Sequence, residues 1–306
     1  MPGPGPELWG QLADLRSVLS LRATQWLGMR LPRPVGLRAA ELYHRLSYPA
    51  SRAQRAVVAR NLARVLGRPP GDPLVQRATR ECFRLYAQYW YETFALRTMT
   101  PEEVDRRFRV QGIEHVDRAL EEGKGVVLAL PHMGNWDAAG HWLCLHGYRV
   151  TAVAEALRPR EVFELFYRHR RALGLDIVPL VPGVRVSDVL AERLARNHVV
   201  ALVADRDLTG RGVAVEMFGA PRRLPSGPAR LALATGAPLS TCSVYTAPDG
   251  WRCVIAPPLE VERSGDLRED VARLTRSIAR DFERFIAAAP ADWHMFQPAW
   301  DGEPSR

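Results

Sequence analysis

Val126-Val127-Leu128-Ala129-Leu130-Pro131-His132-Met133-Gly134-Asn135-Trp136-Asp137 joins a wholly apolar run to a histidine and, five positions on, to an aspartate. The apolar part suits a strand buried on both faces, ending in a loop that opens a helix at about Asn135. Asp137 then lies in the first helical turn, where its carboxylate could fold back toward His132. An imidazole is the usual side chain for moving protons near neutral pH, and a carboxylate in reach fixes its tautomer and stabilises its cation. A buried structural histidine is the alternative. The strand-end position favours catalysis, because sites in open α/β sheets gather at the carboxyl ends of strands.

Outward from this segment, further apolar runs suited to buried strands fall at 148–154, 176–180, 199–204 and 239–246, after the first at 125–131. Helical stretches near 135–146, 160–174 and 184–196 separate the first four. Strand–helix alternation of this kind predicts βαβ units, an α/β fold with a mostly parallel central sheet flanked by helices. Segments 213–218 and 251–260 read as additional strands, and 266–289 as a closing amphipathic helix.

Residues 7 to about 97 read as helical, interrupted at Pro32, Pro34, Pro49 and the Gly67–Pro73 cluster. The first helix carries Leu8, Leu12, Leu15, Leu19 and Trp26 on one side, with Arg16, Arg22 and Arg30 elsewhere. Such a helix can lie in a membrane interface or pack on the protein's own core. Next, Arg52, Arg55, Arg60 and Arg64 interleave with Val57, Val58, Leu62 and Leu66. The aromatic stripe Phe83, Tyr86, Tyr89, Trp90, Tyr91 and Phe94 reads as core before it reads as a ligand groove. The expected organisation is one domain over 1–306: a helical N-terminal cap in 1–107, an α/β core in 108–290 and an aromatic tail in 291–306.

A net charge of +8 is carried almost wholly by arginine, Lys124 being the only lysine. That balance predicts affinity for phosphorylated ligands or an acidic surface. The four cysteines have no paired spacing, so reduced thiols are expected. No apolar run reaches the ~18 residues of a membrane span, and the start lacks a secretory n-region; the expectation is a protein neither spanning nor exported.

In a parallel sheet the residues after the strand ends meet along one edge. His132 follows the first strand, Glu155 the second, and Asp205, Arg206 and Asp207 the fourth. Three strands distant in the chain thus deliver charged groups to one crevice. Arg168, Arg170 and Arg171 spread around a helix after the second strand, and one of them could stabilise an oxyanion. Arg222 and Arg223 precede Ser226, a helix cap signal, and a helix N-terminus beside two arginines is an anion site.

Rival chemistries fail on parts. No G-x-S-x-G elbow, phosphate-binding glycine loop or dinucleotide fingerprint occurs. His132, Asp137 and His141 match no common metal spacing, and no aromatic–basic recognition motif stands out; neither a metal nor a nucleic acid is expected.

The H-x4-D element after a buried strand resembles the signature of glycerolipid acyltransferases. Asp205-Arg206-Asp207-Leu208, Gly212-Val213, Phe218-Gly219-Ala220-Pro221 and Pro225-Ser226-Gly227-Pro228-Ala229-Arg230-Leu231-Ala232 are similar to the late acyltransferase superfamily of lipid A biosynthesis. Residues 51–66 and Trp293-His294-Met295-Phe296 fit it too, so the resemblance covers about 40–300. Lipid A enzymes usually carry glutamate at the fifth position after the histidine; Asp137 looks more like the phosphatidylinositol mannoside acyltransferases.

The resemblance implies a peripheral enzyme of the cytoplasmic face of the inner membrane. It would transfer an acyl group, palmitoyl above all, from acyl-CoA as co-substrate to a mannose hydroxyl of an anionic glycophospholipid, with no cofactor. It implies His132 as base, Asp137 as its partner, and Glu155 and Arg170 in the same site; Arg206, Arg222 and Arg223 are assigned toward the substrates from their places after a strand end and before a helix cap. A further acidic residue supports the histidine in that family; Asp205 is assigned here, with Glu216 as competitor. Other readings are a lipid A precursor or a lysophospholipid as acceptor, or a non-catalytic scaffold binding anionic lipid or nucleic acid.

Overall fold

The computed structural model describes residues 6–300 apart from 208, 209 and 262, with only the backbone for 6–17. The side chains of Leu8, Leu12, Leu15 and Arg16, the motif residue Leu208 and the tail beyond 300 therefore lie outside the described residues.

The chain opens with four long helices, α1 (Pro6–Arg30), α2 (Arg33–Ser47), α3 (Arg52–Leu66) and α4 (Pro73–Ala95). α4 packs against each of the other three. Gly28 of α1 is needed for that approach: a Cβ there would lie 2.7 Å from Phe94 Cβ. α3 has the two faces its sequence predicts, with Val57, Val58 and Leu62 buried and Arg52 and Arg64 exposed. The aromatic stripe of α4 is core, with Tyr89, Tyr91 and Phe94 buried.

The remainder alternates. A short helix α5 (Pro101–Arg107) leads to β1 (Phe108–Gln111), then α6 (Ile113–Glu121), β2 (Val126–Leu130), α7 (Trp136–Leu145), β3 (Val150–Glu155) and α8 (Arg160–Ala172). β4 (Asp176–Leu180), α9 (Val186–Ala195) and β5 (Val199–Val203) follow. After a hairpin of β6 (Val213–Met217) and β7 (Ala220–Leu224) come α10 (Gly227–Thr235), β8 (Leu239–Ala247), β9 (Gly250–Ile255) and α11 (Leu267–Ala288).

Seven strands form one sheet in the order β1-β9-β8-β2-β5-β3-β4, parallel throughout except for the β8–β9 hairpin. The mostly parallel α/β sheet expected from the apolar runs is present, and α helices cover both faces. Side-chain alternation along β2 divides the core: Val127 and Ala129 join α3, α9, α10 and α11 on one face, while Val126, Leu128 and Leu130 join α6 and α7 on the other.

Two strands escaped the sequence reading. β1 is only four residues long. β7, Ala220-Pro221-Arg222-Arg223-Leu224, holds a proline and two arginines and reads as loop. It forms because Phe218 and Gly219, at φ 50° and 70°, make a tight turn that folds it onto β6.

Candidate active site

β2 and β5 are neighbours, with Leu130 opposite Val203 and Ala204 N–H donating to Leu130 O at 2.8 Å. This register sets the residue after each strand end side by side. His132 N–H donates to Asp205 Oδ2 at 3.0 Å, and His132 Nδ1 lies 2.5 Å from Asp205 Oδ1. Trp293 Nε1–H also donates to Asp205 Oδ2, at 2.8 Å. Burial alone would raise the Asp205 carboxyl, but the His132 ring and these three hydrogen bonds outweigh it and hold Asp205 far below the usual carboxylate range. Asp205 is fully buried, whereas the His132 side chain remains 23% exposed. With Nδ1 tied to the carboxylate, Nε2 is the nitrogen that faces chemistry.

Asp137 sits elsewhere than the motif suggests. Asn135 caps α7 by accepting from Ala138 N–H at 3.0 Å, so Asp137 is the second helical residue and points sideways from the loop. Arg170 of α8 donates to both of its oxygens, Nε at 2.6 Å and Nη2 at 3.3 Å, and Tyr89 of α4 donates its hydroxyl at 3.1 Å. Burial would raise Asp137, but the Arg170 charge keeps its carboxyl below the ordinary value. The expectation that Asp137 orients His132 thus gives way: the carboxylate on Nδ1 is Asp205. The β2–β5 register sets Asp205 beside the imidazole, whereas Asp137, in the first turn of α7, is taken up by Arg170 and Tyr89. Between Asp205 and Glu216, geometry selects Asp205; Glu216 is exposed on β6.

Arg170, one of the three arginines that could stabilise an oxyanion, is engaged with Asp137 through Nε and Nη2. Glu155 closes the third strand end as expected and accepts from Arg206 Nη2 at 3.2 Å, an exposed pair on the rim. The β7 alternation sends Arg222 inward and Arg223 outward. Arg222 is buried, donates to the backbone oxygen of Asp205 and lies over the Trp293 and Trp300 rings. It braces the carboxylate-bearing loop. Arg223 donates to Gly212 O at 3.3 Å, and the Ser226 side chain makes no capping bond. His141 Nδ1 lies 2.8 Å from Leu173 O, away from His132. Among the described residues no three His, Cys, Asp or Glu side chains gather to hold a metal ion.

The C-terminal tail holds the histidine loop. His294 N–H donates to His132 O at 2.8 Å, Gly134 N–H donates to Asp292 O at 3.1 Å, and Met133 bridges Trp293. Gly134 is obligatory: its φ is 55°, and a Cβ would stand 2.4 Å from Val244 O. Asn61 of α3 clamps the tail, donating to Met295 O at 2.9 Å and Gln297 O at 2.8 Å. An aromatic wall surrounds the imidazole. Trp136 lies edge-on to His132 at 5.4 Å, and Tyr89 packs against Trp136 at 4.6 Å. Tyr89, Asn61, Asp292 and the indole of Trp293 are site residues that sequence reasoning did not assign. The interruption of a polar asparagine among Leu62, Ala63 and Val58 was the available signal for one of them.

A histidine–carboxylate pair at the carboxyl edge of a mostly parallel sheet is an arrangement suited to general-base chemistry. The chain belongs to the bacterial lipid A biosynthesis acyltransferase family, whose model matches residues 17–301. Among individual relatives, it is 45% identical over 247 residues to a phosphatidylinositol mannoside acyltransferase of Mycobacterium tuberculosis, covering 79% of this chain and 75% of the relative. It is 44% identical over 242 residues to the phosphatidylinositol mannoside acyltransferase of Mycolicibacterium smegmatis, covering 79% and 78%. A lipid A biosynthesis acyltransferase of Haemophilus influenzae matches at 22% over 72% of this chain and 69% of the relative.

Proposed function

We propose that this acyltransferase moves a fatty acyl group, palmitoyl above all, from acyl-CoA to a mannose hydroxyl of phosphatidylinositol mannosides. The observation that carries the chemistry is the 2.5 Å contact between His132 Nδ1 and buried Asp205, which supports Nε2 as the nitrogen that moves the proton. The acceptor class follows from the names of the relatives at 44–45% identity.

His132 Nε2 takes the proton of the sugar hydroxyl as that oxygen attacks the thioester carbonyl. Asp205 holds the tautomer and stabilises the imidazolium, while Asp137, Arg170 and Tyr89 fix the helix behind the histidine. The thiolate leaves with little acid assistance, and no covalent enzyme intermediate is needed. The protein works from the cytoplasmic face of the plasma membrane as a peripheral enzyme; among the described residues no helix is long and apolar enough to cross a membrane.

Mass spectrometry after incubation with palmitoyl-CoA and mannosylated phosphatidylinositol tests the reading. Wild type should yield a product heavier by one palmitoyl group on mannose, and His132→Ala should stay folded with turnover lowered at least ~10³-fold. Near-normal turnover by His132→Ala would sink the mechanism. Acylation of a lysophospholipid or lipid A precursor in preference would sink the acceptor.

A further inference from the structure

His294 is the second imidazole of the site, and it differs from the first in one respect. Both of its ring nitrogens are buried with no hydrogen-bond partner in the protein. The residue is 7% exposed, its backbone is bonded directly to His132, and Tyr86, Tyr89 and Trp136 surround its ring at centroid distances of 5.2, 5.6 and 6.2 Å. A buried donor without a partner costs about 1–3 kcal/mol, so its persistence beside a reactive group asks for a function. Burial, then the neighbouring His132, depress its basicity to a pKa of about 3, so the ring stays neutral and presents one N–H.

The transfer needs such a group. As the acceptor oxygen bonds to the carbonyl carbon, its proton passes to His132 and the carbonyl π electrons move onto oxygen. On collapse the C=O bond re-forms, the C–S bond breaks, and the thiolate leaves with the electron pair; the His132 proton passes to it or to solvent. Arg170 is turned away, with Nε and Nη2 both on Asp137. We infer that the His294 ring N–H is the donor that receives the thioester carbonyl oxygen as it becomes an oxyanion. This rests on the acyl-thioester reading above. A neutral imidazole in an apolar wall suits the task, because a fixed dipole there needs no reorganisation as charge develops.

Steady-state kinetics of the full chain with palmitoyl-CoA test it. His294→Phe keeps the ring shape without the donor and should lower kcat by about 10²–10³-fold with KM for either substrate within roughly threefold. His294→Gln restores an N–H and should recover at least about tenfold of that loss. A Phe variant within threefold of wild type, or a Gln variant no better than Phe, overturns the assignment. Should His294→Phe fail to fold, wild type labelled with 15N-histidine and the ketone analogue of palmitoyl-CoA replace it. A displaced His294 ring resonance supports the contact, and an unmoved one overturns it. Wild type that transfers nothing from palmitoyl-CoA overturns the thioester reading and this assignment together, whereas active wild type with an unaffected variant overturns this one alone.

Discussion

Asp205→Asn would keep the shape of the carboxylate while offering an amide N–H to His132 Nδ1. The imidazole would then carry its proton on Nε2 and could not act as base, so kcat should fall about 10²–10⁴-fold while the thermal midpoint moves little. Asp137→Asn should behave in the opposite proportion. It leaves the largely buried Arg170 guanidinium without its counter-charge, which costs about 3–5 kcal/mol of stability. Denaturant melts and kinetics on the two variants separate these jobs; a stable Asp137→Asn protein would argue against the ion pair. Sequence made His132 legible through its place after an apolar run. It paired the histidine with Asp137 because proximity in a motif stands out, whereas the 73-residue separation to Asp205 closes only in the sheet.

Elements outside the α/β core hold the site in place. The tail from Asp292 to Gln297 is tied to α3 by Asn61 and to the histidine loop by backbone bonds. Asn61→Ala removes the donor from one buried and one part-buried carbonyl and should cost about 1–3 kcal/mol, read from urea melts. Activity should drop with it, because the His294–His132 backbone bond depends on the same tail. Asp292 adds a pH dependence. Burial raises its carboxyl to about 6, above the ordinary carboxylate range, despite acceptance from Thr246 N–H and Oγ1–H. The folded state therefore holds a proton that the unfolded chain releases between about pH 4 and 6. That stabilising contribution is complete below pH 4 and lost as pH rises through 6. Asp292→Asn lacks the slope, so its stability relative to wild type should rise by about 2–3 kcal/mol from pH 4 to 7. A difference independent of pH would show that Asp292 titrates normally. The strand β7 belongs to this scale as well: alternation on a hairpin buries Arg222, which no local propensity announces.

At the scale of the whole molecule, the helical cap has two faces. α4 turns its aromatics inward and gives Tyr89 to Asp137, so the cap is part of the site. α1 and α2 leave Leu19, Trp26, Val35, Leu42, Tyr43 and Leu46 exposed, the last at 72%, among the exposed Arg22, Arg30, Arg38 and Arg45. Apolar side chains ringed by arginine suit an anionic bilayer, each cation near the surface contributing about 1 kcal/mol. Binding to phosphatidylinositol-rich liposomes should weaken severalfold between low and moderate salt. Leu42→Ser with Leu46→Ser should weaken it further without changing the melting temperature. Sedimentation with liposomes checks both, and salt-independent binding would remove the electrostatic part.

By itself the sequence determined the parallel α/β core, the strand-end histidine and the clustering of Glu155, Arg206 and Asp205 at one edge. Those properties follow from apolar runs and their periodicity, which are local. Only the tertiary structure decided which carboxylate meets the imidazole, that Arg170 serves Asp137, and that the cap and tail supply Tyr89, Trp293 and His294. These depend on strand order and on backbone register, with β5 beside β2 and the tail bridged to Met133. Such contacts join residues dozens to hundreds of positions apart, and no spacing within one segment encodes them.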